Sequence, residues 1–310
     1  MNKGEQKRQV IFDRFVKNRN SLIDNGFIIG EKDVYLCPIC KGVYHSINGD
    51  NPLTLEDAPP KSLGGKAKVL TCKKCNNIAG TKMDSYLVNR LKDLSNQSLP
   101  KGKEIPIEMI FNDDIFKGTF KINNDGSAEV KSSRKNNNKL RLDEKMKKIK
   151  EGDMHKIKLI ENRIDFNKVK YALLKTAYIM AFEKFGDLLL FDSNFDVVRE
   201  QLLNPEKRIY PQDFCFASPY EDKIDGVNII MTEGIESILV QFELKYEDIN
   251  RRLIVFLPCM INDIFSITRE ISTKKQKKFY NISNNNAGYV NNIDGVKLLY
   301  NWIKRRKKIK

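Results

Sequence analysis

The sequence predicts an α+β fold in two parts, a small zinc-held module near the N-terminus and a larger mixed domain after it. Three observations carry this expectation. Four of the six cysteines form two CxxC pairs, Cys37-Pro38-Ile39-Cys40 and Cys72-Lys73-Lys74-Cys75. A polar stretch, Asn96-Gln97-Ser98-Leu99-Pro100-Lys101-Gly102, contains both Pro and Gly and separates these pairs from the remainder of the chain. Beyond it, short runs of strand length are interleaved with helical patterns. The expected organisation is an N-terminal helix plus zinc module over 1–95, with its core at 37–91. An α+β domain over 104–303 and a basic tail at 304–310 complete it.

The elements follow from local patterns. Residues 8–23 place Ile11, Phe12, Phe15, Val16, Leu22 and Ile23 at helical spacing, with Arg19 interrupting the apolar face. A shorter helical stretch runs from Met83 to Leu94. Residues 105–111 and 115–122 alternate as strands, and Asn123-Asn124-Asp125-Gly126 is a turn signal that returns the chain into a further strand. Residues 131–150 are strongly basic and read either as a phosphate-contacting loop or as a solvated linker. Phe166 to Phe185 reads as a helix stopping at Gly186, with Phe166, Val169, Leu173, Ala177, Ala181 and Phe185 assigned to the core. A second helix from Phe195 ends before Pro205, and 227–231, 238–244 and 253–257 read as strands. The tail 304–310 either touches phosphate or is solvated.

Charge narrows the class of partner. Lys and Arg number 55 against 40 Asp and Glu, a net charge of +15. A field of that sign favours a phosphate polymer through counterion release, with an anionic membrane surface as the competitor. No apolar run approaches the roughly 20 residues of a spanning helix, and the first residues lack the apolar core of a signal peptide. These features predict a soluble, cytoplasmic protein. In a reducing compartment paired cysteines are metal ligands rather than disulfides, and Cys215 and Cys259 read as core thiols. Two residues between cysteines let both thiolates reach one tetrahedral ion, so Cys37, Cys40, Cys72 and Cys75 are the expected structural zinc ligands.

Between the pairs stands Leu53-Thr54-Leu55-Glu56-Asp57-Ala58-Pro59-Pro60-Lys61-Ser62-Leu63-Gly64-Gly65, and the second pair continues as Cys72-Lys73-Lys74-Cys75-Asn76-Asn77-Ile78-Ala79-Gly80. Over 37–91 this order resembles HNH endonucleases of the zinc-knuckle type. The shared pattern is an acidic residue, a proline, a Gly-Gly turn and a second CxxC followed at once by Asn. The resemblance implies a ββα-metal module, with structural zinc at the hairpin base and a separate magnesium or manganese ion for catalysis. Glu56 matches the acidic position and would ligate that ion. Asp84 is a candidate second ligand, or a helix-surface aspartate. Asn76 matches the residue that orients the general base, with Asn77 as fallback. The base position itself holds Asp57 where the family has histidine, and His45 is a candidate substitute. Lys61, Lys66 and Lys68 flank the turn and either neutralise phosphates or are solvated. The implied activity is metal-dependent hydrolysis of DNA, and such modules recur in restriction, mobile-element and phage-defence systems. The alternative is a catalytically impaired zinc-knuckle protein that binds nucleic acid.

Overall fold

The computed structural model describes residues 2–271 apart from 112–113, 134, 136, 151, 153–154 and 219–224, and beyond these only 279–281, 294–295, 297 and 301. The basic tail expected at 304–310 lies outside the described residues. The fold is mixed α+β with small antiparallel sheets. The chain forms two compact units, one from 1–88, 165–245 and 250 onward, the other from 89–164 with 246–249. It therefore crosses between units more than once, rather than at a single seam near 96–102.

The first unit begins with helix α1 (Lys3–Asp24). Its start is a reciprocal cap: Asn2 accepts from the Glu5 amide, and the Glu5 carboxylate accepts from the Asn2 amide. The apolar face buries Ile11, Phe12, Phe15 and Leu22. Arg19 does not break that face. It is buried within it, donating to Asp187 and to the Glu31 carbonyl. A two-residue ladder follows, β1 (Tyr35–Leu36) against β2 (Val43–Tyr44), and carries the first CxxC turn.

The hairpin β3 (Leu53–Ala58) and β4 (Lys66–Cys72) is antiparallel with a bulge between Glu56 and Asp57. Bulges re-aim side chains. Its connection needs glycine: Gly64 has φ of 88°, and a Cβ on Gly65 would sit 1.5 Å from the Pro59 carbonyl oxygen. At Cys72 the strand gives way to helix α2 (Lys73–Ala79), which passes through a π turn at Gly80–Asp84 into α3 (Ser85–Gln97).

The second unit is a four-stranded antiparallel sheet, β5 (Ile105–Phe111), β6 (Asp114–Ile122), β7 (Ala128–Ser132) and β8 (Lys156–Leu159), in the order β7-β6-β5-β8. Helix α4 (Lys139–Met146) sends Leu142 into a core with Ile107, Met109 and Phe116. The basic run 131–150 thus contains a strand end and a packed helix.

Returning to the first unit, α5 (Phe166–Phe185) starts at an Asp165 cap and is buried on nearly every side, as an all-round apolar helix should be. Phe166, expected in the core, is 60 % exposed because it opens the first turn. This helix packs against β3, β4 and the π turn. Helix α6 (Asp196–Leu203) follows. A five-stranded sheet then combines β9 (Cys215–Ala217), β10 (Gly226–Ile230), β11 (Ser237–Tyr246), β12 (Ile249–Leu257) and β13 (Phe279–Asn281) in the order β13-β10-β11-β12-β9, with α7 (Ile264–Glu270) between its last two strands in the chain.

Candidate metal centre and carboxylate cluster

The two CxxC turns meet. Four sulfur atoms, one each from Cys37, Cys40, Cys72 and Cys75, all lie within 4.8 Å of one another. Tetrahedral zinc with Zn–S bonds of about 2.3 Å requires sulfurs roughly 3.8 Å apart, and Cys40 Sγ lies 3.8 Å from Cys72 Sγ. The backbone shapes the pocket. The Cys72 amide donates to Cys37 Sγ and the Cys75 amide to Cys72 Sγ, both at 3.4 Å, while the Cys37 amide is held by the Gly42 carbonyl at 2.9 Å. Hydrogen bonds from the neighbouring thiols, Cys37 first, push Cys72 well below the ordinary thiol range. Four soft donors with amide support suit a structural metal ion such as zinc, held at the point where β4 becomes α2.

A second cluster lies apart from the sulfurs, among the first unit's hairpin, π turn and α5. Glu56 is 2 % exposed. Its Oε1 accepts from Lys175 Nζ at 2.7 Å and its Oε2 from Thr71 Oγ1 at 3.0 Å. The same ammonium donates to Asp84 Oδ2 at 2.6 Å. Burial alone would push the Lys175 ammonium down, but Glu56 and Asp84 outweigh it and the net shift is upward. Asp84 moves up as well, chiefly by burial against the opposing pull of Lys175. Its Oδ1 has no hydrogen-bond partner. The cluster is a carboxylate–ammonium–carboxylate triad in which Lys175 and Glu56 are buried and Asp84 is partly exposed.

Asp57, across the bulge, is half-buried. Burial, then Glu56, raises its carboxyl, while Lys7, Lys61 and Lys175 pull it back. Asn76 ties two elements together. Its amide donates to Thr54 Oγ1 at 2.8 Å and to the Leu55 carbonyl at 3.1 Å, fixing α2 to β3. Asn77 is exposed. His45 is exposed and lies 3.9 Å from Glu31, with no contact to Glu56. Lys61 and Lys66 are exposed on the hairpin turn, whereas Lys68 is paired with Glu183 at 3.3 Å.

The expected magnesium or manganese ion can be tested against these donors. Among the described residues the four cysteines are the one group of three or more ligating side chains clustered tightly enough for a metal. Both Glu56 oxygens are engaged, and the place between Glu56 and Asp84 holds an ammonium. A hard divalent ion with six oxygen ligands does not fit that arrangement.

Lys175 was not anticipated from sequence, although a signal exists. Its helical neighbours Tyr171, Ala172, Tyr178 and Ile179 are apolar or aromatic, so the lysine falls on a buried stripe and requires an acidic partner. No family model matches the chain, and no curated protein or solved structure resembles it at a significant level.

Proposed function

We propose that the chain binds nucleic acid through the hairpin module at 37–88 and does not cut it. The carrying observation is Lys175, whose ammonium lies 2.7 Å from Glu56 and 2.6 Å from Asp84. This is where the resemblance to HNH endonucleases calls for a divalent cation. Metal-assisted phosphodiester hydrolysis needs a Lewis acid with open positions for phosphate oxygen and water. An ammonium offers charge but no open coordination position, and Lys175 is buried beyond the reach of a phosphate. A zinc-ordered hairpin remains, with Lys61 and Lys66 exposed at its turn in a chain of net charge +15. Lysines placed this way hold a backbone without reading bases. DNA as the polymer follows from the resemblance.

A second reading, hydrolysis of DNA with magnesium or manganese, draws on Asp57. A carboxyl pushed up from its ordinary value by burial and by Glu56 is shifted in the direction that suits a base near neutrality, and Asp84 Oδ1 is an unused acceptor. Plasmid nicking with either metal, run beside anisotropy with labelled DNA on the wild type, Glu56→Gln and Asp57→Asn, separates the two. The expected result is salt-sensitive binding with no nicking. Nicking that disappears in Asp57→Asn overturns the proposal in favour of hydrolysis, and absence of binding removes both readings.

A further inference from the structure

The four-stranded sheet of the second unit has two unlike faces. Alternation along β5 and β6 sends Ile107, Met109 and Phe116 to the face that α4 covers. The residues between them point the other way: Glu108 pairs across the ladder with Lys117 on β6 and with Lys158 on β8. In the same phase stand Lys121, which pairs with Glu129, Lys131, which pairs with Thr119, and Lys156. This face therefore carries five lysines against two glutamates.

Among the described residues no carboxylate lies within ion-pair distance of Lys117, Lys121, Lys156 or Lys158. Lys131 alone is neutralised, by Glu104 at 3.2 Å and Glu129 at 3.3 Å. Protection against edge-to-edge pairing explains lysines on an outer strand such as β8. It does not explain Lys117 and Lys121, which stand on β6 inside the sheet. Gathering unpaired like charges on one face costs self-repulsion, which a polyanion relieves. Asn137, beyond β7, is also fixed to this sheet. Asn137 accepts from the Lys117 amide at 2.8 Å and donates to the Lys117 carbonyl at 2.7 Å, as a paired strand would.

We propose that this open sheet face is a second nucleic-acid surface, gripping the phosphate backbone through Lys117, Lys121, Lys156 and Lys158. The inference rests on the reading of nucleic acid as the partner. Lys156 and Lys158 stand roughly 7 Å apart along β8, Lys117 and Lys121 roughly 13 Å apart along β6, and these two strands, with β5 between them, lie roughly 10 Å apart, intervals of one to two phosphates that a sugar–phosphate chain crossing the face can span. A membrane surface is disfavoured because Ile110 and Ile115 are the large apolar side chains on the face, with no aromatic anchor beside them.

The test uses the full chain, with all four lysines changed to Gln in one variant and to Arg in another. Anisotropy of a fluorescein-labelled single-stranded oligonucleotide and its duplex is followed between about 50 and 200 mM salt. Neutralising four contacts lowers the log–log salt slope by about 3 and weakens binding at least about tenfold at low salt. The Arg variant retains the wild-type affinity, which separates charge from folding. Unchanged affinity and slope in a folded Gln variant, beside a wild type that binds, overturn this surface alone. A wild type that binds neither probe overturns this surface and the proposed function together.

Discussion

Replacing Lys175 with Met removes the one cation shared by the buried Glu56 and the partly exposed Asp84 while keeping a side chain of similar length. Glu56 would keep its Thr71 hydrogen bond and lose the ammonium at 2.7 Å, and Asp84 would lose the one at 2.6 Å. Deleting one partner of a buried ion pair costs about 3–5 kcal/mol, because the remaining charge stays desolvated. Asp84 keeps 16 % side-chain exposure and recovers some hydration, so the expected loss is at the lower end, about 3 kcal/mol. Against a total stability of about 5–15 kcal/mol this is a large fraction. With a slope of about 3 kcal/mol per molar urea, the midpoint falls by about 1 M. The pH dependence has a definite sign. Burial already raises the folded-state Asp84 carboxyl, and Lys175 opposes that rise. Without Lys175 it climbs further, so the folded variant binds protons more readily than the unfolded chain. Its stability then increases as pH falls from neutrality toward the carboxylate range, and the deficit relative to wild type is greatest near neutral pH. Urea unfolding followed by far-UV circular dichroism at several pH values measures this. A deficit below about 0.5 kcal/mol at neutral pH, within the range of ordinary surface substitutions, would refute the account of the triad.

Cys37→Ser or Cys72→Ser is expected to remove about one tightly bound zinc per chain and to unfold the hairpin module, read by metal analysis and hydrogen exchange over β3 and β4. Purified wild type without metal would count against the centre. Asn76→Ala deletes two hydrogen bonds from α2 to β3 and should destabilise by about 1–2 kcal/mol, with the faster exchange confined to the hairpin and helix start. Tyr178→Phe removes the hydroxyl that donates to the Pro38 carbonyl at 2.7 Å and accepts from Arg199 at 3.3 Å. A loss of about 1–2 kcal/mol is expected in chemical denaturation, together with easier removal of zinc by a chelator, because Pro38 lies inside the first CxxC turn.

The sequence by itself determined the features that depend on neighbouring residues. The cysteine spacing indicates which four thiols come together as one candidate metal site, and the apolar periods locate α1, α5 and the strands β5, β6, β10, β11 and β12 to within a few residues. Gly64 and Gly65 mark a turn that no larger residue could make. Tertiary structure alone decided which charges are buried and with whom. Arg19 reads as an interruption of a helix face until Asp187 is placed against it, 168 residues away. Lys175 reads as one more lysine until Glu56, 119 residues away, and Asp84, 91 residues away, are brought to its ammonium. The physical reason is that helical and strand periods arise from local backbone geometry. The role of an ionisable side chain depends on its surroundings, since burial requires a partner and that partner can come from anywhere in the chain. The acidic residue at Glu56 was visible in the sequence, but the cation beside it, an ammonium in the place expected for a metal, was not.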